Sequence, residues 1–206
     1  MKRLFLVRHG QTAYNAQRRF QGQIDVALNE RGEAQAQAIA AHLAATESID
    51  RIVASDLTRA RQTAQAIGRA AGVDVEFDPG LREITVGEWE GLDRDEIHAQ
   101  WPDLLAEWNA GADMRPPGGE SRNEAGRRVA DAVERLVDQA GEDEVLVIVA
   151  HGAVIRGTAE IFLGLVDSPR ATLGVLDNCD YAEFARRGSL WVLRRWGGSA
   201  PAGASS

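Results

Sequence analysis

Two histidines in this chain each follow a strand-like apolar run directly, and each is followed at once by glycine. The run at residues 4–7 precedes Arg8 and His9, and the run at residues 145–150 precedes His151. A continuous apolar run of this length is typical of a strand buried on both faces, as in parallel sheets. Ligands of open α/β sheets bind just beyond the carboxyl ends of the strands. If the two strands are parallel neighbours, both imidazoles lie at the same edge, and the sequence predicts a two-histidine active site.

The rest of the chain alternates between strand-like and helix-like segments. A chain of 206 residues is one ordinary domain, or one domain with an inserted cap. Strand-like runs cover residues 4–7, 51–54, 73–77, 145–150, 172–176, 181–185 and 190–193. Helical periodicity covers residues 33–44, 58–71, 121–140 and 154–163. This alternation predicts an α/β fold, in which a mostly parallel central sheet carries helices on both faces.

Two segments depart from this alternation. The first covers residues 93–119, contains Trp101 and Trp108, and separates a strand from the next helix. Segments of this kind often cover the ends of strands, so we expect a lid there. The second is the Gly-, Ala- and Ser-rich stretch 197–206, which we expect to be disordered. Residues 1–196 are therefore predicted to form a single domain.

Charge and composition narrow the classes of partner. The formal net charge of −8 argues against a nucleic-acid partner, because binding to a phosphate backbone requires clustered positive charge. A small phosphorylated metabolite is still compatible, since a few arginines in a cleft can dominate the local field. No window of the sequence approaches the ~20 apolar residues of a membrane span, so no membrane partner is expected.

The beginning of the chain and its cysteine content indicate a cytoplasmic protein. The first apolar stretch begins like a signal peptide but ends at Arg8 and His9, which makes it too short. The single cysteine, Cys179, excludes an internal disulfide and is typical of a reducing compartment. The sequence leaves the oligomeric state open, with a homodimer among the alternatives.

The strand ends bring further polar residues to the same edge of the predicted sheet. Arg59 follows the second strand and Glu83 follows the third, so both are expected beside Arg8, His9 and His151. The histidines alone could bind a metal, but no third ligand has the spacing of a zinc site. The two arginines would repel a divalent cation, and each offers a bidentate fork to a phosphate group. The cluster therefore predicts a phosphate pocket with a nucleophile and an acid.

Several blocks of the sequence carry a known family signature. They are residues 8–15, 20–28, 55–64, 81–83, 87–91, 117–121 and 149–152. The first block, Arg-His-Gly-Gln-Thr-Ala-Tyr-Asn, fits the pattern RHGxTxxN, and the chain resembles the histidine phosphatase superfamily, the phosphoglycerate-mutase-like proteins. The blocks follow the family's order from residue 4 to about residue 164, so the resemblance is specific. It implies the phosphoglycerate-mutase-like α/β fold.

The resemblance implies a role in phosphoryl transfer for each residue of the cluster. It implies that His9 is the nucleophile, which forms a phosphohistidine that water then hydrolyses. Arg8 and Arg59 favour the neutral imidazole that the attack requires, and together with His151 they are expected to hold the phosphoryl oxygens. Glu83 is implied as the acid that protonates the leaving alkoxide and then as the base for water.

Further contacts to the substrate are implied within the same blocks. They are expected at Asn15, Gln21, Gly22 and Gly152. Because arginines supply the positive charge that meets the phosphoryl group, no metal and no organic cofactor is expected.

Two activities and one silent function stay open within the superfamily. Residues 83–91 are closer to the phosphatase branch than to the cofactor-dependent phosphoglycerate mutases, and residues 118–122 are similar to glucosyl-3-phosphoglycerate phosphatases. We therefore predict a phosphatase, with mutase-type phosphoryl transfer as the alternative. A catalytically silent protein that binds phosphate esters is the third alternative, which the complete set of site residues disfavours.

The choice of substrate depends on the predicted lid. Within residues 93–119 the candidate cations are Arg94 and Arg115, which favours a monophosphate with a neutral or sugar-like body over a bisphosphate. A sugar- or glycerate-type phosphate such as glucosyl-3-phosphoglycerate fits that description. Trp101 and Trp108 are either packing residues or part of the substrate entrance.

Overall fold

A six-stranded sheet lies at the centre of the fold in the computed structural model, which describes residues 2–166 and 173–201. The strands are β1 (Arg3–Arg8), β2 (Arg51–Ala54), β3 (Val75–Phe77), β4 (Val145–Ala150), β5 (Tyr181–Arg187) and β6 (Leu190–Gly198). Their order across the sheet is β3-β2-β4-β1-β5-β6. The first four strands of this order are parallel, whereas β5 pairs antiparallel with both β1 and β6. The predicted α/β fold with a mostly parallel sheet is confirmed.

Helices cover both faces of the sheet because successive side chains of a strand point in opposite directions. The helices are α1 (Ala13–Ala16), α2 (Glu30–Thr46), α3 (Thr58–Ala71), α4 (Arg94–Gln100), α5 (Pro102–Ala110), α6 (Arg122–Gln139) and α7 (Gly152–Phe162). Leu4, Leu6 and Ile148 pack in a hydrophobic cluster with α6 and α7, whereas Phe5 and Val147 pack in a second cluster with α2 and α3. The sheet is therefore the middle of three layers. Among the described helices, none combines the length and the apolar character required to cross a membrane.

The pairing of β1 with β4 puts the two histidine motifs side by side. Arg8 is opposite Ala150 in this parallel pair, so His9 and His151 leave the sheet at the same level. His151 alone separates the end of β4 from the start of α7 at Gly152. A ligand bound beyond the strand ends therefore meets both imidazoles at once.

One predicted strand is wrong. Of the strand predicted at 172–176, residues 173–176 form an irregular segment, and residue 172 lies outside the described residues. The edge of β1 that such a strand could occupy is taken by β5. Leu176 is instead buried in the core, and its carbonyl oxygen accepts a hydrogen bond from the guanidinium of Arg8. The apolar side chains of this segment therefore pack from a loop beside Arg8 rather than from a strand.

Several element boundaries also differ from the prediction by two residues or more, among them the end of β6 and the start of α2. Strand β6 continues to Gly198, where it pairs with Tyr181, so the folded part extends two residues past the predicted domain end at residue 196. Residues 202–206 of the predicted tail lie outside the described residues. Helix α2 begins at Glu30 rather than at residue 33, because the side chain of Asn29 accepts the backbone N–H of Gly32 and caps the helix.

The predicted lid contains two short helices that pack on an aromatic cluster. Helix α4 begins after Asp93, whose carboxylate caps it, and α5 begins with Pro102. The Trp108 ring packs edge-on against Trp89, which also meets Phe20 edge-on. This packing holds the lid helices beside the carboxyl ends of the parallel strands.

Candidate active site

The two histidines at the strand ends lie against each other. Their ring centroids are 5.1 Å apart, and the rings meet edge to face at 61°. His9 is 2% exposed and His151 is 0% exposed. Across residues 2–166 and 173–201, no group of three or more His, Cys, Asp or Glu side chains is placed to hold a metal ion. The partners of the two imidazoles are therefore arginines and backbone groups.

The ring of His9 is held in one neutral tautomer. Its Nδ1 atom lies 2.7 Å from the carbonyl oxygen of Gly10. Because a carbonyl oxygen can only accept, Nδ1 carries the proton and Nε2 keeps its lone pair. Burial, and then the charges of Arg59 and Arg8, hold the pKa of His9 well below its usual range. At neutral pH His9 thus presents an unprotonated Nε2 atom, which is the form that a nucleophile requires.

His151 has the opposite tautomer. The Nε atom of Arg59 donates to Nδ1 of His151 over 3.2 Å, so Nδ1 is the acceptor and Nε2 carries the proton. Burial is the main cause that lowers the pKa of His151 well below its usual range, and the charges of Arg59 and His9 act in the same direction. Among the described residues, none accepts the buried Nε2 proton. The imidazole therefore offers an N–H group to a bound ligand.

Arg8 and Arg59 place two guanidinium groups beside the histidines. Arg59 is fully buried, and its terminal nitrogens donate to the carbonyl oxygens of Gly22 and Ile24, each over 2.8 Å. The Nε atom of Arg8 is buried without a partner in the part of the chain that the structure describes. Burial lowers the pKa of both arginines, and the Glu83 carboxylate is the strongest charge that acts against this shift. A bound anion would likewise stabilise the charged form of both arginines. We call the pocket formed by these two histidines and two arginines the histidine pocket. It favours an anion, because buried charges need a partner of opposite sign.

Glu83 lies at the start of α7. Its carboxylate accepts the backbone N–H groups of Ala153 (3.2 Å) and Val154 (3.3 Å), and also that of Ile84 (2.9 Å). The side chain of His151 precedes this helix but makes no capping hydrogen bond, so Glu83 caps it from another part of the chain. These bonds hold the carboxylate next to the residue that joins β4 to α7.

Arg128, which the sequence does not single out, holds the loop that carries Glu83. Its guanidinium donates to the carbonyl oxygens of Gly80 (3.0 Å), Arg82 (2.9 Å) and Glu83 (3.2 Å). It also pairs with the carboxylate of Glu120 at 2.9 Å. Because Arg128 lies on the amphipathic helix α6, the sequence pattern alone predicts a solvated charge there. Only the fold brings it to the loop.

A second residue that the sequence does not single out, Asn178, ties the nucleophile motif to α1. Its amide donates to the carbonyl oxygen of His9 (2.9 Å) and to Oδ1 of Asn15 (3.3 Å). The backbone N–H of Thr12 also donates to that Oδ1, and the Thr12 hydroxyl donates to Gln21 over 2.8 Å. Asn15 and Gln21 thus belong to one network beside His9, and the amide nitrogen of Asn15 is the atom that can donate to an anion.

Gly22 and Gly152 leave room for their charged neighbours. Gly22 has a φ of +52°, and a Cβ atom there would lie 2.1 Å from Oε1 of Glu90. A Cβ atom on Gly152 would lie 3.2 Å from Nε of Arg8. The two glycines, which the resemblance implies as substrate contacts, therefore shape the histidine pocket by the space that they leave.

A cleft of about 350 Å³ opens beside the histidine pocket, and we call it the lid cleft. Arg8 belongs to the pocket and also lines the cleft, and Glu83 and Gly152, which lie beside the pocket, line the cleft as well. The other described lining residues are Arg94, Trp108, Arg122, Ala153, Arg156, Gly157, Glu160 and Val175. The cleft therefore lies between the lid helices, α6 and α7.

Two of the four lid residues that the sequence marks as candidate contacts line this cleft. They are Arg94 and Trp108. Arg115 instead pairs with Glu124 on the protein surface, and Trp101 packs against the hydrophobic core. A ligand in the lid cleft would therefore meet the first pair directly.

Comparison with known proteins identifies the family. The family model of the histidine phosphatase superfamily (branch 1) matches residues 4–198. The chain belongs to the histidine phosphatase superfamily. The match contains every residue of the histidine pocket, and it confirms the family predicted from the sequence blocks.

Relatives of this histidine phosphatase include phosphatases and a mutase. A glucosyl-3-phosphoglycerate phosphatase of Mycolicibacterium vanbaalenii is 39% identical, with 90% of this chain and 84% of the relative covered. A "Probable phosphoglycerate mutase GpmB" of Escherichia coli O1:K1 / APEC is 37% identical, with 95% of this chain and 90% of the relative covered. A solved mycobacterial glucosyl-3-phosphoglycerate phosphatase in complex with VO3 has a TM-score of 0.89 and 37% identity, covering 97% of this chain and 100% of that chain. These relatives confirm the predicted fold and the prediction of a phosphatase of this superfamily.

Proposed function

We propose that this histidine phosphatase hydrolyses a phosphomonoester through a phosphohistidine formed on His9. The observation that carries the proposal is the pair of opposite histidine tautomers. His9 presents a lone pair on Nε2, whereas the buried N–H groups of His151 Nε2 and Arg8 Nε have no acceptor among the described residues. A nucleophile beside such donors suits a phosphoryl group, whose equatorial oxygens carry the negative charge of the transition state.

In the first step, Nε2 of His9 attacks phosphorus and the bond from phosphorus to the ester oxygen breaks. Glu83 enters this step protonated and donates its proton to the departing oxygen. The two arginines and His151 stabilise the charge on the three remaining oxygens. The Nδ1 proton stays on the phosphorylated ring, which continues to donate a hydrogen bond to the carbonyl oxygen of Gly10. Asn15 and Gln21 are further contacts to the phosphoryl group in this proposal.

In the second step, water attacks the phosphohistidine. Glu83, which is ionised after the first step, accepts a proton from the water as the phosphorus–nitrogen bond breaks. Inorganic phosphate leaves, and His9 returns to its neutral form. The proton that Glu83 donates leaves with the alcohol, and water supplies another in its place. Ester and water therefore become alcohol and phosphate with the enzyme unchanged.

We propose a sugar- or glycerate-type phosphate as the substrate, with glucosyl-3-phosphoglycerate as the first candidate. One support is the 39% identity to a phosphatase that is named for that compound. The other is the lid cleft of about 350 Å³, which provides room for the body of such an ester next to the histidine pocket. A cytoplasmic location and a homodimer stay predictions.

Mutase-type phosphoryl transfer is the second candidate, and the relative named "Probable phosphoglycerate mutase GpmB" favours it. A mutase returns the phosphoryl group from the histidine to another hydroxyl of the same substrate before water attacks. The two activities therefore share the first step and differ in the fate of the phosphohistidine.

Product analysis on the purified chain separates these candidates. In the presence of EDTA we expect release of inorganic phosphate from glucosyl-3-phosphoglycerate, and we expect vanadate to inhibit it. Interconversion of 3-phosphoglycerate and 2-phosphoglycerate, primed with 2,3-bisphosphoglycerate, should be slower than this release. Faster interconversion would favour the mutase. A metal requirement, or no phosphate release from any ester including p-nitrophenyl phosphate, would contradict the proposed phosphatase.

A further inference from the structure

The peptide group that joins His9 to Gly10 is held at both of its polar edges. Its carbonyl oxygen, which belongs to His9, accepts the side-chain amide of Asn178 over 2.9 Å. Its N–H group, which belongs to Gly10, donates to the hydroxyl of Thr63 over 3.1 Å. Because a peptide group is planar, one bond on each edge fixes the orientation of the whole plane. Two side chains from distant parts of the sequence therefore hold the backbone that follows the nucleophile.

Gly10 is a position at which the backbone needs such a restraint. A side chain does not fit there, because its Cβ atom would overlap the carbonyl oxygen of Gly32. Glycine has more backbone freedom than any other residue, and the carbonyl oxygen of Gly10 is the acceptor of the Nδ1 proton of His9. Rotation of the His9–Gly10 peptide plane would carry that oxygen away from the ring. The tautomer of His9 therefore depends on the groups that hold this plane.

Thr63 is fully buried on α3, one helical turn after Arg59. Its hydroxyl donates to the carbonyl oxygen of Arg59 over 2.8 Å, and this bond uses the single hydroxyl proton. The hydroxyl oxygen can then only accept from Gly10, so the direction of both hydrogen bonds is fixed. Thr63 therefore connects the nucleophile motif to the helix that supplies one of the two arginines of the histidine pocket.

Asn178 connects the same peptide group to the segment that holds the other arginine. The backbone N–H of Cys179 donates to the carbonyl oxygen of Arg8 over 3.0 Å, and the carbonyl oxygen of Leu176 accepts from the Arg8 guanidinium. Residues 176–179 thus hold Arg8 through their backbone and the next peptide group through the Asn178 side chain. The plane that follows His9 is therefore fixed relative to both arginines.

We propose that Thr63 and Asn178 are positioning residues, which hold the His9–Gly10 peptide in the plane that keeps Nδ1 of His9 protonated and Nε2 free to attack. This inference rests on the proposed function, because it takes His9 as the nucleophile. In the other neutral tautomer Nε2 would carry the proton and could not attack phosphorus. Both residues act through the carbonyl oxygen of Gly10, so neither needs to contact the substrate.

Thr63→Val tests the proposal, because it removes the hydroxyl and keeps the branched shape of the side chain. We expect kcat/KM for p-nitrophenyl phosphate, which reports the first step, to fall by about 10- to 100-fold through misplacement of the nucleophile. Thr63→Ser keeps the hydroxyl and should restore most of the loss. Thr158→Val is the matched control and should leave kcat/KM unchanged. Thr158 is also fully buried on a helix, but its hydroxyl has no hydrogen-bond partner among the described residues.

Asn178→Ala releases the other edge of the same plane and should cause a loss in the same range. The double variant Thr63→Val/Asn178→Ala should lose little more than the larger single loss, because a plane held at one edge can already turn. Residues with unrelated structural roles would show losses that multiply. Multiplied losses, or a native kcat/KM in Thr63→Val, would overturn the proposal.

¹⁵N NMR of the histidine side chains reports the tautomer itself, without substrate. The resonances that are missing in His9→Ala should show a protonated Nδ1 in the native chain and in Thr158→Val, and a mixture of tautomers in Thr63→Val. A loss of stability alone would slow turnover without changing these resonances. An unchanged tautomer in Thr63→Val would therefore overturn the proposal even if kcat/KM fell. A native chain that forms no phosphohistidine on His9 would instead defeat the proposed function itself.

Discussion

The histidine pocket and the lid cleft are adjacent but are built differently. In the pocket, His9 and His151 follow two parallel strands directly, and both are buried. In the cleft, Arg122 and Arg156 project from separate helices and are only partly buried. Side chains that directly follow a strand keep their relative positions as long as the sheet is intact. Side chains on the helices can be substituted without disturbing the sheet. The pocket is therefore suited to the chemistry, and the cleft to the selection of substrate.

The largest expected effect is at the nucleophile. His9→Ala should lower kcat by at least about 10⁴-fold, because no other group can take the phosphoryl group in the proposed mechanism. Brief mixing of the native chain with ³²P-labelled substrate should label His9 with an acid-labile phosphate. His98→Ala, on the exposed side of the lid helix α4, is the control and should keep full activity. A fully active His9→Ala variant would show that His9 is not the nucleophile. The histidine pocket would then not be the place where the chemistry occurs.

Glu83→Gln should lower kcat/KM for an alkyl phosphate by about 10²–10⁴-fold, the usual contribution of a general acid. With p-nitrophenyl phosphate the loss should be far smaller, because that leaving group departs without a proton. The comparison uses kcat/KM, which reports the first step, since hydrolysis of the phosphohistidine also needs Glu83 as base.

The control for this prediction is Glu88→Gln, a nearby exposed carboxylate, which should show no dependence on the leaving group. If Glu83→Gln lost the same activity with both esters, the acid would have to be sought elsewhere, and Glu88 would be the next candidate.

Arg128→Gln should lower kcat/KM by about 10-fold, because misplacing a catalytic group by a fraction of an ångström already reduces its contribution. Arg128 holds the backbone at three carbonyl oxygens around Glu83 without facing the histidine pocket as a donor. The loss should therefore be larger for an alkyl ester than for p-nitrophenyl phosphate, as it is for the acid itself. Arg127→Gln, the exposed neighbour on α6, is the matched control. If kcat/KM fell equally for the alkyl ester and for p-nitrophenyl phosphate, Arg128 would have only a structural role.

The smallest expected effect is on stability. Burial holds the pKa of His9 and His151 well below the value of about 6.5 for an unfolded chain. Below about pH 6.5 the unfolded chain therefore binds more protons than the folded one. The free energy of unfolding should then fall by up to about 1.4 kcal/mol per pH unit for each histidine, and above pH 6.5 this contribution should be constant.

Urea unfolding between about pH 7.5 and 5.5 measures this slope, since most carboxylates titrate below that range. His151→Asn should reduce the slope by roughly half, because one of two buried histidines is removed. His98→Asn, in the exposed part of the lid, should not change it. An unchanged slope in His151→Asn would mean that the pocket is more hydrated than its burial indicates.

The parts of the molecule that follow from sequence are those governed by strand ends. Buried apolar runs predict β2 and β4 with their observed bounds, and parallel pairing then brings His9 to His151. The irregular segment at residues 173–176 is apolar as well, but its place is decided by β5, which pairs with β1 from a later part of the chain. A local pattern cannot report that competition.

Arg128 and Asn178 show the other limit. Both act on backbone carbonyl oxygens that lie far away in sequence, and a carbonyl oxygen is the same group in every residue. No pairing of residue types therefore marks such a contact. The sequence does not single out the arginines of the lid cleft either, because the pattern of each helix indicates only a charged outer face. The packing of α6 and α7 against the lid is what brings Arg122 and Arg156 to one cavity.

Because His151 alone joins β4 to α7, the length of the chain is constrained at that point. One inserted residue would either displace the imidazole or turn α7 by about 100° relative to the sheet, which would carry Arg156 to another side. One deleted residue would remove the histidine itself. Evolution of this protein can therefore exchange the amino acids that line the cleft much more readily than it can change the number of residues between its innermost strands and the helix that follows them.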